Sequence, residues 1–187
     1  MLYWVDSTNN QPRKINIESA IKANYPSFST DAVAYSFPID FKEITLIKPP
    51  PPLAPNILKS TDGGFDNNFI ANESFEFSFQ YIWYDNETTV VGTYSPASRL
   101  NFPTDTYNYI AVSMDILENI PDTVRIVNLV VRLSNTNFSK VIKSWDKEVT
   151  AEAAELVLQN SGITPLTFNF YNNSTGAALA EDDTLRP

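Results

Sequence analysis

A chain of 187 residues with net charge −9, no histidine and no cysteine lacks the commonest general base, the commonest metal ligands, thiol nucleophiles and disulfides. Its 22 Asp and Glu against 13 Lys and Arg repel a duplex or a phosphate-rich membrane surface, so neither nucleic acid nor membrane is expected as a partner. Thirteen prolines beside only five glycines suit strands joined by stiff turns.

Leu2-Tyr-Trp-Val5 reads as a short strand closed by the turn-prone residues 6–10, with Ile15 and Ile17 extended beyond it. Residues 18–24 can hold a short helix that stops before Pro26. The opening, 1–47, is too small for its own core and reads as an arm or the end of a preceding domain. With no run of eighteen apolar residues and no basic leader, neither a membrane-spanning helix nor a signal peptide is expected. Lys48-Pro-Pro-Pro-Pro-Leu-Ala-Pro55 is the clearest boundary, a polyproline II linker over 48–55.

A short strand at 56–60 and a loop at 61–66 lead into residues 75–84. There Phe75, Phe77, Phe79, Tyr81 and Trp83 alternate with Glu76, Ser78 and Gln80. Such alternation predicts a strand with one buried and one wet face, roughly 33 Å long at 3.3 Å per residue. A turn at 85–87 and a return strand at 88–93 follow, and 94–98 closes on a proline-marked edge. These elements make a first β module over 56–103.

A second module is expected over 104–176. Ile110, Val112 and Met114 share one strand face, as do Val127, Leu129, Val131 and Leu133. Val124 and Ile126 fall in the opposite phase, which predicts a bulge or burial on both faces. Residues 138–145 read as the hairpin partner of 124–134. A helix is expected over 150–160, capped by Thr150, closed by Gly162, with Val149, Ala153, Leu156 and Val157 on one face. Leu166, Phe168 and Phe170 make a last strand, and 177–187 an acidic tail. The chain stops on Leu185-Arg186-Pro187 without a terminating element, as a piece of a longer protein would. Short strands at this spacing predict a mainly β chain of antiparallel sandwich modules with one short helix.

Chemistry is thin on this scaffold, and no cofactor is expected. Asp62, Asp66 and Glu73 fall at positions 1, 5 and 12 of a calcium loop, but Gly64 and Asn67 fail at positions 3 and 6. That loop and Glu181-Asp182-Asp183 read as ordinary solvated segments, so no metal is expected. Glu76 and Glu87 flank the aromatic strand, yet nothing brings them to one cleft as glycoside hydrolysis requires. Asn-x-Ser/Thr matches at Asn72, Asn86, Asn137, Asn172 and Asn173 are close to what this Asn-rich composition produces by chance. The remaining candidate is a surface: Tyr84, Tyr94 and Trp145 could stack on sugar rings if exposed on one flat face.

The run from the prolines through Phe75–Trp83 and the turn at 85–87 to Tyr94-Ser-Pro-Ala-Ser98 resembles a fibronectin type III-like module of the immunoglobulin class. Tyr109-Ile-Ala-Val-Ser113, residues 124–132, Phe138-Ser-Lys-Val-Ile142 and Phe168-Asn-Phe-Tyr171 resemble its later strands. With the opening Leu2-Tyr-Trp-Val-Asp6 and Pro12-Arg-Lys-Ile-Asn16, the order resembles long structural proteins of tailed phages of Bacteroidetes, including the crAss-like group. The resemblance implies a non-enzymatic phage tail-region protein, located in the virion, with other virion proteins and copies of itself as partners in a homo-oligomer. The alternative is a bacterial cell-surface or secreted glycan-binding sandwich.

Overall fold

The computed structural model describes residues 2–5, 12–15, 48–65, 67–98, 106–134, 136, 138–173 and 177–178. The expected helix at 18–24 and Glu181-Asp182-Asp183 lie outside them. β1 (Leu2–Val5) and β2 (Pro12–Ile15) form an antiparallel hairpin of their own. Two antiparallel sheets pack together beyond it. One has the order β3 (Asn56–Ser60), β5 (Tyr109–Ser113), β8 (Thr167–Phe170). The other runs β4 (Phe75–Trp83), β6 (Val124–Leu133), β7 (Ser139–Asp146), β9 (Ala177–Ala178). A single helix among the described residues, α1 (Thr150–Asn160), lies between β7 and β8 in the chain. The chain is therefore a mainly β sandwich with one short helix.

The aromatic stripe makes the core. Phe75, Phe77, Phe79, Tyr81 and Trp83 are all buried, facing Ile110, Val112 and Met114 from the β5 segment. Phe170 meets Phe75 and Phe77 edge-on, at 5.0 and 5.2 Å between ring centroids, and so joins the two sheets. Bulges at Ile82/Trp83 in the β4–β6 ladder and at Leu129/Val130 in the β6–β7 ladder reconcile the two phases of β6. The expected hairpin partnership of β6 and β7 is present.

Pairing crosses the expected boundary at 103/104. β3 pairs with β5 and β4 with β6, so 56–103 and 104–173 build one sandwich instead of two modules. The first half contributes one strand to each sheet, β3 and β4, and each pairs only with a strand of the second half. Residues 48–55 are also not a free spacer. Pro51 and Pro55 are buried, the Leu53 N–H donates to Glu118, and the Pro52 carbonyl accepts from Thr93 Oγ1 at 3.1 Å.

The expected return strand at 88–93 is replaced by an irregular segment that still saturates the edge of β4. Backbone N–H groups of Thr89, Gly92, Ser95 and Ser98 donate to the carbonyls of Tyr81, Phe79, Phe77 and Phe75 at 2.7–2.9 Å. Hydroxyls of Thr89, Ser95 and Ser98 accept from the N–H groups of Tyr81, Phe77 and Phe75 at 2.8–3.1 Å. Every third residue of the segment thus meets every second residue of β4, with the residues between looped outward. Gly92 is the member without a hydroxyl, because the Pro51 carbonyl passes there. A Cβ on Gly92 would lie 2.5 Å from that oxygen and 3.1 Å from the Phe79 carbonyl.

The other face of β4 is not wet. Ser78 and Gln80 are fully buried. Gln80 donates to the Thr89 carbonyl and accepts from Asn128 Nδ2, whose Oδ1 accepts from Ser144. Gln80, Asn128 and Ser144 are in register across β4, β6 and β7, so one polar row satisfies itself and tolerates burial.

Two outcomes test this packing. Trp83→Ala should lower stability by about 3–5 kcal/mol, as truncation of a buried aromatic does, read from urea denaturation. Gly92→Ala should cost about 1–3 kcal/mol, because the two atoms nearest the new methyl are backbone carbonyl oxygens. An unchanged unfolding midpoint for the Gly92 variant would mean that the proline segment does not bear on the β4 edge.

Candidate interaction surface

The three surface aromatics do not share a face. Trp145 is 1% exposed, and its Nε1 donates to Glu155 at 2.7 Å. It packs against Phe79 in the core, which corrects its assignment to a binding surface. An indole at an alternating strand position satisfies both roles in sequence, and only the sheet's orientation decides. Tyr94 is half-buried beneath the Arg132 guanidinium, 3.8 Å above its ring, with its hydroxyl on Ser139. Tyr84 is exposed, just beyond β4. A stacking platform of all three is absent.

The acidic candidates are also dispersed. Asp62 accepts from the Gly64 N–H and from the Tyr171 hydroxyl at 2.7 Å, and these bonds hold its carboxyl below the usual range. Asp66 lies outside the described residues. Among the described residues no three acidic side chains gather closely enough to hold a metal ion. Glu76 is ion-paired with Arg132 across the β4–β6 ladder, whereas Glu87 sits past the far end of β4, on the order of 20 Å away at strand rise. Asn72, Asn86 and Asn172 adopt left-handed backbone at φ 61°, 63° and 55°, a turn role that accounts for asparagine at those positions.

Glu118 was not singled out by sequence, and no pattern around it marks it. It is 4% exposed and accepts from the Tyr81 hydroxyl at 3.0 Å and the Leu53 N–H at 3.1 Å. One carboxyl thus ties the proline segment and β4 to the loop before β6. Burial pushes its pKa upward, against the pull of the Leu53 and Tyr81 donors. Burial, with Glu118 beside it, likewise raises Tyr81.

The helix meets expectation only in part: of the expected inner face, Leu156 is buried and Ala153 half-buried, whereas Val149 and Val157 are exposed. Val149 precedes it without a side-chain cap, and Thr150 does not cap it. Its buried residues are Leu156 and Gln159, whereas Val157 is 63% exposed and Val149 and Leu158 are exposed too. Polar groups hold the helix to the sandwich. Glu152 accepts from Lys143 Nζ and the Asp146 N–H, both at 2.8 Å, and Glu155 from Trp145. Gln159 Nε2 donates to the carbonyls of Asp115 and Glu118, and its Oε1 accepts the Leu166 N–H. Asn160 exchanges two hydrogen bonds with the Ile120 backbone. Gly162 closes the helix at φ +65°, as expected. Thr150, Ala151, Ala154, Val157, Leu158 and Ser161 face solvent as an uncharged strip, flanked by exposed Glu155 and Asn160, that runs into exposed Ile163. A surface helix ordinarily shows the reverse polarity.

No family model, no curated protein and no solved structure matches this chain. No helix among the described residues is long and apolar enough to cross a membrane.

The raised Glu118 carboxyl gives a signed expectation. A carboxyl that binds its proton more tightly when folded loses stabilising contribution as pH rises from the ordinary glutamate value of about 4.3 through the raised folded value. The stability of the native chain relative to Glu118→Gln, which does not titrate, should therefore be greater near pH 4.5 than near pH 7.5, read from paired urea midpoints. A pH-independent difference would show an unperturbed carboxyl. Glu118→Ala should cost about 1–3 kcal/mol, because it strands the Tyr81 and Leu53 donors.

Proposed function

We propose that this chain is a non-enzymatic structural component of a phage virion, in the tail region, that works by packing against neighbouring subunits. The observation that carries the reading is α1, which spends its polar side chains on its own sandwich and turns an uncharged face to water. A self-contained surface helix gains nothing from that arrangement, whereas an assembly module gains a dry contact. The buried or ladder carboxylates give the same impression. Glu118, Glu76 and Glu152 each hold structural partners, with no cleft shared among them.

The fibronectin-like resemblance has topological support. Immunoglobulin-type sandwiches pair strands B and E in one sheet and C, F and G in the other. Here β3 pairs with β5, and β4, β6 and β7 lie side by side in that order. The segment at 88–98 occupies the outer side of β4, where C′ would lie. A departure is β8, which follows the G-like strand and pairs with β5. The glycan-binding alternative has less support, since Trp145 is in the core and Tyr94 is covered by Arg132.

The reading is tested on particles. Peptide mass spectrometry of density-gradient-purified virions should find this chain co-migrating with the major capsid protein in a fixed ratio. Its confinement to the soluble fraction of lysed cells would overturn the proposal.

A further inference from the structure

The outer face of the β3–β5–β8 sheet carries no charged side chain, on a chain whose net charge is −9. Ile110, Val112 and Phe170 belong to the core, so alternation turns positions 109, 111 and 113 of β5 and 167 and 169 of β8 outward. Positions 56, 58 and 60 of β3 are in register with them. Apart from Tyr109, Ala111 and Leu58, every side chain on this floor is an amide or a hydroxyl. Leu58, Thr167 and Asn169 are exposed. An aromatic ledge closes one end. Tyr171, one residue past β8, lies 5.2 Å from Tyr109 at an interplanar angle of 30°, and 4.7 Å from Phe65. Phe69, 48% exposed, meets Phe65 edge-on at 6.4 Å. Polar side chains hold the ledge in place. Buried Asn108 exchanges hydrogen bonds with the Asp62 backbone and donates to the Phe65 carbonyl, while Asn172 donates to the Phe69 carbonyl. Asp62 accepts from the Tyr171 hydroxyl at 2.7 Å. The rings are therefore fixed before any ligand arrives, which lowers the ordering cost of binding.

We propose that this face binds a neutral oligosaccharide, with a sugar ring against the Tyr109–Tyr171 ledge and its hydroxyls on Asp62 and Asn169. This goes beyond the assembly reading and does not rest on it, and it uses none of Tyr84, Tyr94 and Trp145. Chemistry selects the occupant. The C–H face of a sugar packs on aromatic rings, and the hydroxyls around it exchange hydrogen bonds with amides, hydroxyls and carboxylates. The Asp62 oxygens are held by the Gly64 N–H and the Tyr171 hydroxyl, and each keeps a further lone pair for a ligand hydroxyl. Ala111, next after Tyr109 on this face, leaves room for a ring to lie flat against the sheet. Charge selects it too. Single-stranded nucleic acid also stacks on aromatic side chains, but its phosphates require a basic groove, and neither the floor nor the ledge has a Lys or Arg. A protein partner is disfavoured because Leu58 is the one aliphatic side chain larger than alanine on the floor, whereas the centre of a protein interface is apolar.

Calorimetric titration with neutral hexasaccharides of glucose, mannose, xylose and N-acetylglucosamine should find at least one that binds with a Kd of about 1 mM or tighter. Hexagalacturonate and a deoxythymidine decamer, both anionic, should bind at least about tenfold more weakly. Tyr109→Ala removes the wall and Ala111→Gln fills the floor, and each should weaken the neutral probe by about tenfold or more. Tyr84→Ala, just beyond β4 in the other sheet, should leave it unchanged. Urea midpoints establish that each variant is folded, and Ala111→Gln decides the matter alone if Tyr109→Ala does not fold. Failure of every neutral probe to bind overturns the proposal. So does a probe that binds Ala111→Gln as tightly as the native chain. Preference for either anionic probe overturns the neutral assignment. Self-association in sedimentation velocity that Ala111→Gln abolishes overturns it as well, by placing a second copy on this face.

Discussion

Saturating both hydrogen-bonding edges of β4 is the constraint on which the rest of the sandwich depends. One edge is paired with β6 over the full strand, and the other is met by the segment running from Thr89 to Ser98. A strand so enclosed can carry five buried aromatic residues without offering a template to another chain. Its position then dictates where everything else goes. The proline segment crosses at Gly92, the polar row from Gln80 runs outward through Asn128 to Ser144, and Tyr81 reaches Glu118. Glu118 in turn belongs to the loop that Gln159 of α1 grips through two carbonyl bonds. Strand, loop and helix are therefore one connected polar framework around an aromatic core.

Much of the local structure is legible in the chain, and for one physical reason. Side chains alternate in direction along a strand, so burial leaves a period of two that composition alone would not produce. The stripe at Phe75–Trp83, the Ile110–Val112–Met114 face and the two phases of β6 are all readable that way, and the closing role of Gly162 is readable from glycine's tolerance of left-handed backbone. What alternation does not carry is which strand meets which. β3 and β5 are separated by about fifty residues, and no local signal distinguishes their ladder from a pairing within the first half of the chain. Division into two modules followed from assuming that neighbours in sequence are neighbours in space. The even positions of β4 are a similar case. Ser78 and Gln80 look like a solvated face, and only the in-register Asn128 and Ser144 reveal that this face is closed.

At the candidate surface, the pattern was visible but its sign was not. Glu152, Glu155, Gln159 and Asn160 lie along one side of α1 and Ala151, Ala154, Val157 and Leu158 along another. The ordinary expectation turns the apolar side inward. Here Lys143, the Trp145 indole and three backbone carbonyls of the loop between β5 and β6 supply enough partners to draw the polar side in instead. Trp145 illustrates the same ambiguity, since an indole serves equally as a core residue with one hydrogen bond or as an exposed stacking surface.

The three-for-two match between 89–98 and β4 has a kinetic side. The segment is joined to β4 by a tight turn, where the Trp83 N–H donates to the Glu87 carbonyl and Thr88 bridges Ile82. It can therefore zip from that turn toward Phe75 as soon as it leaves the ribosome. β6, which begins at Val124, follows the end of the segment at Ser98 only after a further stretch of chain, and closing that longer loop onto β4 costs more chain entropy. The aromatic strand is thus shielded along one margin during the interval when it is synthesised but not yet sandwiched. Hydroxyl acceptors suit that interval, because each Ser or Thr closes its own pair of bonds with β4 and no ladder need be complete for the next to form. Built into the order of the chain is a temporary chaperoning of its most aggregation-prone stretch, performed by the eleven residues that follow the turn.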